Sequence, residues 1–398
     1  MSDESSDEAA RLVEADALLA KGDPRGELII VQCALARGGL SRERGIALRR
    51  REQELLVHAD HWANLEGLAR DPVFRGGFVD EIVIPIDRFI EHEEEIWRRA
   101  PRLRWLHFIG LRFDSPVDEL GDAAREWHRA ETLLERALES GRVRSFSARD
   151  AQVSWMVDGQ IRYRESGSLA PSIVRWLQSD GGARLERLRG LGLDDVGPDT
   201  MLTLARAPLE EVEVRGRLFA DAAELREAFA TSRLRPRRLL LEHWPSNVSR
   251  DESAALRELL RSPLGANLVD LVTSQVTPVL ESGRAAQLRS LRVTSLFDAE
   301  PLAAIAGAPE LASLEHLAAD GNFGARLDYD PEPLYAPRHL EALRTLRVGA
   351  RLDPNRARRL VCSPLAQRLE LIDLRASKDR LAAHASELRR LWDGVILV

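Results

Sequence analysis

The chain has few cysteines and no long apolar run. Only 2 of its 398 residues are cysteines, Cys33 and Cys362, near opposite ends of the sequence. A disulfide framework is therefore excluded, and we predict that both are small, buried apolar residues. No apolar run approaches the length of about 18 residues that crosses a bilayer, and the start, MSDESSDE, is acidic, whereas a secretory signal is basic and then apolar. We expect a cytoplasmic protein without a membrane partner.

An excess of positive charge is also missing. Lys and Arg number 57 against 64 Asp and Glu, a net charge of −7, and only Lys21 and Lys378 are lysines. The arginines are spread along the chain and matched by carboxylates, whereas non-specific nucleic-acid binding needs a basic face of one sign. The sequence therefore predicts no nucleic-acid partner.

Recognisable catalytic motifs are missing too. The sequence has no glycine-rich phosphate loop, no Gly-x-Ser-x-Gly elbow and no Cys-x-x-Cys pair. His58 and His61, with Glu54 one turn earlier, could approach a metal from one helix face, but two such histidines without a second pair are more often a solvated face. We predict no catalytic residue, no metal and no cofactor.

What the chain does contain is a recurring phrase of the form apolar-x-x-apolar-x-apolar. It reads Leu103-x-x-Leu106-x-Phe108, Leu209-x-x-Val212-x-Val214, Leu288-x-x-Leu291-x-Val293, Leu343-x-x-Leu346-x-Val348 and Leu369-x-x-Ile372-x-Leu374. Such a phrase recurring every 20 to 29 residues or so is typical of leucine-rich repeats. A unit of this size cannot bury its own apolar face, so each phrase is expected to form a strand stacked on its neighbours.

The predicted strands are spaced unevenly. We place their central apolar residues at Ile82, Leu106, Phe146, Leu188, Val212, Leu239, Leu271, Leu291, Leu317, Leu346 and Ile372. Two long gaps predict either insertions near 110–142 and 150–168 or a missed degenerate unit. The first contains a helical pattern from Val117 to Ser140, and the second an Asp158-Gly159 pair between alternating apolar stretches, which indicates a hairpin over 153–163.

Residues 1–70 lack the phrase and read as helices. A segment capped by Ser6 ends at the turn Gly22–Gly26, a second helix follows to Gly38-Gly39, and a third starts at Ser41. We therefore predict an α/β protein with a helical cap domain at 1–70 and a degenerate, ribonuclease-inhibitor-like leucine-rich-repeat solenoid at 71–398, with a parallel concave sheet.

Two stretches of the N-terminal region resemble a known family. Gly22-Asp23-Pro24-Arg25-Gly26-Glu27-Leu28-Ile29, and His61-Trp62 followed by Phe74-Arg75-Gly76-Gly77-Phe78-Val79-Asp80-Glu81-Ile82, are similar to the bacterial repeat-companion domain. The resemblance implies a helical domain that precedes leucine-rich-type repeats, and it implies no activity. Many members have Tyr-Ala-Asp-Trp where this chain has Glu14-Ala15-Asp16-Ala17, so its helices must pack differently if that Trp packs the cap.

The variable positions of the phrase should line the concave face, because successive side chains of a strand point in opposite directions. The predicted partner-binding residues are Trp105, His107, Arg187, Arg189, Glu211, Glu213, Arg238, Asp270, Arg292, His316, Arg347 and Asp373. Their charges are mixed, and Arg187 and Arg189 beside Glu211 and Glu213 could form a cross-strand ladder of ion pairs with no partner at all.

These patterns predict a non-catalytic interaction scaffold that binds an unknown protein on the concave face. Three alternatives stay open: a regulatory subunit of a neighbouring enzyme, an enzyme with an unrecognised site, and a structural protein that self-associates through its apolar C-terminal strand, Gly394–Val398.

Overall fold

The computed structural model is an α/β protein. It describes residues 2–109, 131–140, 145–149, 153–157, 160–164, 170–179, 182–193, 204–215, 232–242, 250–296, 299–321 and 330–398. Thirteen of the fifteen strands in these ranges lie in mostly parallel sheet structure, and the other two form an antiparallel hairpin. The coarse prediction of an α/β chain with a parallel sheet is therefore confirmed.

The chain divides into two compact units. The first unit comprises Met1–Gly39, Arg51–Val196 and Ala207–Leu209, and the second comprises Leu40–Arg50, Gly197–Arg206 and Glu210–Val398. The predicted division at residue 70 into a cap domain and a solenoid stays a prediction. In the two compact units, the first helices group with the first strands, whereas 40–50 groups with the C-terminal strands.

The helices of the first unit are α1 Ser2–Leu19, α2 Arg25–Arg37, α3 Arg42–Leu56, α4 Ala59–Ala63, α5 Ile86–Arg99, α6 Ala170–Gln178 and α7 Ala183–Arg187, with a further helical stretch at 131–139. Helix α3 begins in the second unit and ends in the first. Helix α1 begins before Ser6, so the predicted cap at that residue is wrong. Of the helix predicted from Val117 to Ser140, only 131–140 lies within the described residues.

The turn between α1 and α2 shows why the Gly-Asp-Pro-Arg-Gly stretch is needed. Asp23 accepts hydrogen bonds from the backbone nitrogen of Arg25 at 2.9 Å and from its guanidinium, and these bonds lower the pKa of Asp23. Gly26 lies so close to the carbonyl oxygen of Ala15 that a Cβ would collide with it. The turn thus clamps the two helices together.

Gln32 ties helix α2 to the first hairpin of the sheet. Its side-chain amide donates to the carbonyl of Phe74 at 3.1 Å, and its Oε1 accepts from the backbone nitrogen of Gly77 at 2.8 Å. Gly77 has a φ of +77° and abuts Ile29, so a larger residue would be both strained and obstructed.

The strands of the first unit pair in the order β1–β2–β3–β4–β7, with β1 antiparallel and the rest parallel. They are β1 Arg70–Arg75, β2 Phe78–Pro85, β3 Trp105–Ile109, β4 Ser145–Arg149 and β7 Gly190–Leu193, while β5 Val153–Val157 and β6 Gln160–Arg164 form the predicted hairpin. Strand β1 was not predicted. The aligned residues Ile82, Leu106, Phe146 and Leu191 are all fully buried.

One predicted strand was misplaced by three residues. Leu191, not Leu188, stands in register with Phe146, and Leu188 follows helix α7. Leu185, Leu188 and Leu191 recur every third residue, so the phrase can be read at two positions, and pairing with β4 selects the later one.

The second unit carries eight strands in chain order, parallel wherever their register is described. They are β8 Glu211–Arg215, β9 Arg238–Glu242, β10 Asp270–Thr273, β11 Ser290–Leu296, β12 His316–Gly321, β13 Thr345–Val348, β14 Leu371–Asp373 and β15 Val395–Leu397. The aligned central residues are Val212, Leu239, Leu271, Leu291, Leu317, Leu346, Ile372 and Ile396, all buried. The predicted centres in this unit are confirmed.

Short helices connect these strands. The α-helices are α8 Arg250–Arg261, α9 Thr277–Glu281, α10 Glu300–Gly307, α11 Pro354–Val361, α12 Lys378–Leu381 and α13 Ala385–Leu391, and the 3₁₀ turns are Pro263–Asn267, Ala285–Gln287, Pro309–Leu311, Glu332–Leu334, Arg375–Ser377 and Ala382–His384. Cys362, just after α11, is exposed, so the prediction that both cysteines are buried is wrong for it, and both are free thiols. None of the described helices combines the length and apolarity that a membrane span requires.

Segment 40–50 packs against the residues that precede the last strands. Glu370, only 2% exposed, accepts hydrogen bonds from Arg49 at 2.8 Å and from Arg344 at 2.6 Å. Arg42 donates to Asp393, and this bond lowers the pKa of Asp393. A buried carboxylate needs cationic partners, and part of the region predicted as an N-terminal cap supplies one of them here.

Candidate functional site

The outward positions of the strands form what we call a variable face in each unit. Ten of the twelve predicted partner-binding residues occupy such positions: Trp105, His107, Glu211, Glu213, Arg238, Asp270, Arg292, His316, Arg347 and Asp373. Arg187 ends helix α7 and Arg189 precedes β7, so their predicted placement on a strand is wrong.

The first variable face, on β2, β3, β4 and β7, is closed. Trp105 is 2% exposed, and its ring stacks on that of His107 with centroids 5.2 Å apart and planes 8° from parallel. The Trp105 ring extends over Ser145 to Gly190, where a Cβ would collide with it. Small residues on the next two strands therefore let large rings lie flat. The prediction that Trp105 and His107 are displayed to a partner is wrong for this reason.

A chain of polar groups runs through this closed face. His107 Nδ1 lies 2.8 Å from Ser147 Oγ, and His107 Nε2 lies 3.3 Å from Glu81 Oε2, while the other oxygen of Glu81 pairs with Arg75. Carboxylate, imidazole and hydroxyl are the groups of a nucleophilic triad. Here all three are at least 93% buried, which favours a packed polar cluster over an active site. Sequence reasoning missed Glu81 and Ser147, although Ser147 lies at an outward position of the phrase around Phe146.

The second variable face, on β8 to β14, carries two clusters of charge. In the first, Arg238 lies between β8 and β10, 3.7 Å from Glu211, 4.0 Å from Glu213 and 3.6 Å from Asp270. Three carboxylates thus lie within 4.0 Å of one guanidinium, and we call this group the acidic cluster.

The second cluster has the opposite arrangement. Asp320, 6% exposed, lies 2.5 Å from Nε of Arg292 and 3.2 Å from Nε of Arg347. The two arginines stand on β11 and β13, each in register with the small Ala318 of β12. Two guanidiniums share one carboxylate, so this cluster has an excess of positive charge. Asp320 was missed because it lies one outward position beyond the phrase.

His316 and Asp373 flank this second cluster. His316 Nδ1 lies 2.7 Å from the hydroxyl of Thr345, and burial, helped by the charge of Arg49, lowers the pKa of His316. Burial alone would raise the pKa of Asp373, but side-chain and backbone hydrogen bonds from Arg375 outweigh it, so the pKa is lowered. His316 is therefore neutral at neutral pH and Asp373 is charged.

Part of the second variable face is also covered. Leu240 on β9 and Val272 on β10 hold outward positions in register with each other, and each is only 4% exposed. The charged side chains around them stay partly exposed, with Asp270 at 33%, Arg292 at 31% and Arg347 at 48%. The most exposed of these three, Arg347, stands on β13.

His58 lies in the turn between α3 and α4, and His61 lies in α4, so the two do not share the single helix face predicted for them. The ring of His58 is 6.1 Å from that of Trp62, which in turn meets Phe74 edge-on. Across the described ranges, no group of three or more His, Cys, Asp or Glu side chains is placed to hold a metal ion.

The comparisons with known proteins identify no family. No protein-family model matches the chain, and no curated protein matches it. A chain of the solved yeast structure "Crystal structure of Rad7 and Elc1 complex in yeast" is similar at 14% identity, with a TM-score of 0.44, and the match covers 100% of this chain and 93% of that one. A likeness this weak carries no argument, and the resemblance to the repeat-companion domain stays a prediction.

Proposed function

We propose that this protein is a non-catalytic scaffold that binds a partner protein through its second variable face. The sheet of the second unit would be the concave sheet of a degenerate leucine-rich-repeat solenoid. Its parallel strands in chain order, short helical connections and in-register apolar centres support this proposal. The clamp at Gly26 and the link from Gln32 to Gly77 support a repeat-companion domain at the N-terminus.

The observation that carries the proposal is the pattern of charge on the second variable face. An acidic cluster around Arg238 and a basic cluster around Asp320 stand on one row of strands, and side chains of both clusters are partly exposed. Complementary charge steers association and selects partners. A folded protein can match such a bipolar surface, whereas a polyanion would be repelled by half of it.

Differential capture tests the proposal. Arg292→Glu with Arg347→Glu inverts the basic cluster, and Arg261→Glu serves as the control because Arg261 is 50% exposed on helix α8. Each variant and the natural chain would be used as bait in a lysate of the native host, followed by quantitative mass spectrometry. We expect proteins retained by the natural chain and the control to be lost from the double variant. Identical retention by all three baits would contradict the proposal.

Partner identity separates the scaffold from its nearest alternative. A regulatory subunit would use the same surface, and the captured protein would be an enzyme whose rate changes on binding. Purified chain added to that enzyme decides between them, because a scaffold leaves the rate unaltered.

Self-association is a second candidate, favoured by strand β15. Val395 and Ile396 pair with β14 on one side, and β15 ends the strand order in the described residues. An edge strand can pair with a second copy. Light scattering of the natural chain and of a chain lacking Val395–Val398 tests this, since only self-association turns a dimer into a monomer.

A further inference from the structure

The basic cluster on β11 to β13 has the parts of a receptor for a carboxylate. Arg292 and Arg347 stand two strands apart, about 10 Å in a sheet, on either side of Ala318. The small alanine leaves the space between them free of a long side chain. Both guanidiniums lean over it towards the same buried residue, Asp320.

Asp320 holds the two arginines in different ways. Its Oδ2 accepts a hydrogen bond from Nε of Arg292 at 2.5 Å, whereas Nε of Arg347 lies 3.2 Å from Oδ1 as an ion pair without a hydrogen bond. In the part of the chain that the structure describes, neither guanidinium has a further hydrogen-bond or ion-pair partner. The terminal nitrogens of both side chains therefore keep their donors available. Because Asp320 is 6% exposed, it holds the arginines from beneath without occupying the outer surface.

We propose that Arg292 and Arg347 form a binding site for one carboxylate, supplied by an Asp or Glu side chain of the partner protein. Arginine donates paired, charge-assisted hydrogen bonds to a carboxylate, and holding the fork in place lowers the entropy lost on binding. Asp320 is the positioning residue. The inference rests on the proposed function only in assigning the carboxylate to a protein.

The surrounding charges favour a carboxylate over a phosphate group. The two arginines and Asp320 leave a single positive charge in excess, and Asp373 stands in register with Arg347 on the next strand. A phosphate monoester carries about −1.5 to −2 at neutral pH, so it would meet repulsion that a singly charged carboxylate largely avoids.

Acetate is the probe for this site. Acetate would be titrated into the full chain at pH 7.5 against chloride at equal ionic strength, with the arginine side-chain NMR signals as the readout. We expect saturable shifts at Arg292 and Arg347 with acetate alone, and none at Arg261. Inorganic phosphate should bind more weakly than acetate. Tighter binding of phosphate, or equal shifts at Arg261, would overturn the proposal.

Two variants test whether acetate binds because the two guanidinium groups are held in position or only because the site carries positive charge. Arg347→Lys keeps the charge and removes the fork, and should weaken acetate binding about tenfold, the loss of about one charge-assisted hydrogen bond. Asp320→Asn raises the local positive charge but releases both guanidiniums, and should also weaken acetate binding. Stronger binding in Asp320→Asn, or unchanged binding in Arg347→Lys, would show simple charge attraction and reject a built site. Arg347→Lys changes an exposed side chain, so it decides the matter even where Asp320→Asn fails to fold.

The two proposals fail separately. If acetate does not bind but the variant Arg292→Glu with Arg347→Glu still loses the partner protein, the carboxylate site is contradicted and the scaffold proposal is supported. If acetate binds as expected and the same variant retains the same proteins as the natural chain, the carboxylate site is supported and the scaffold proposal is contradicted.

Discussion

In the first unit, Trp105 and His107 fill outward positions with their rings stacked, and the Trp105 ring lies over Ser145 and Gly190 of the next strands. In the second unit, equivalent positions carry arginines and carboxylates, and Arg347 is 48% exposed where Trp105 is 2% exposed. The same strand phrase thus supports a closed face in one region and an open one in the other. The outward side chains themselves make the difference, because a ring can lie flat over small neighbours, whereas Arg292 and Arg347 stay partly exposed beside the small Ala318.

The largest expected effect comes from emptying the closed face. Trp105→Ala should cost about 3 to 5 kcal/mol of stability in the first unit, as buried aromatic truncations do. Hydrogen exchange of β3, β4 and β7 measures it, and protection should fall there first. Trp105→Phe should lose much less stability than Trp105→Ala. A cost below about 1 kcal/mol would show that the ring is not packed, and the contrast with the second unit would disappear.

Filling the space beneath the Trp105 ring should cause the next largest loss of stability. A Cβ at Gly190 collides with Trp105 and Ser145, so Gly190→Ala should cost about 1 to 3 kcal/mol. Gly307→Ala is the control, because a Cβ there meets no atom within 4 Å. Combining Gly190→Ala with Trp105→Ala should cost less than the sum of the single changes. Full additivity in chemical denaturation would mean that the two residues do not touch.

A smaller effect should appear at His316 as pH falls. Its pKa is lowered in the folded chain, chiefly by burial, below the ordinary value of about 6.5. The unfolded chain therefore binds the proton more readily, so this contribution to stability is complete above about pH 6.5 and is lost as pH falls towards the folded pKa.

Denaturant midpoints from pH 7.5 to 5.5 measure this effect. The natural chain should lose stability on acidification more steeply than His316→Asn, which has no titrating ring. Parallel curves for the two proteins would show that burial of His316 does not oppose its protonation.

The smallest effect should come from the open face. Arg347→Ala should change stability by no more than about 0.5 kcal/mol, because an exposed ion pair contributes little and Asp320 keeps Arg292 as its partner. Thermal unfolding beside Trp105→Ala makes the comparison direct. A loss comparable to that of Trp105→Ala would mean that the second face is a core as well.

Sequence patterns were sufficient for the class and for most strands. The apolar phrase identified the buried centres of β8 to β14 because a strand places every second residue on the same side, whatever surrounds it. The Asp158-Gly159 pair likewise predicted the hairpin of β5 and β6, since turn chemistry is local.

The candidate site was predicted only in part. Outward positions follow from alternation, so ten of the twelve residues were placed on the correct side of their strands. Their exposure was not predictable, because the cover over Trp105 depends on Ser145 and Gly190, which lie 40 and 85 residues further along the chain. The role of Asp320 could not be predicted for a related reason, since it depends on arginines from two other strands.

The sequence by itself determined the period, the apolar centres and the alternation of side chains, because each depends on residues a few positions apart. Only the tertiary structure decided which of Leu185, Leu188 and Leu191 pairs with β4 and which outward side chains are buried. It also decided that segment 40–50 packs beside Glu370. These outcomes depend on size and charge across strands far apart in the chain, where local patterns carry no information.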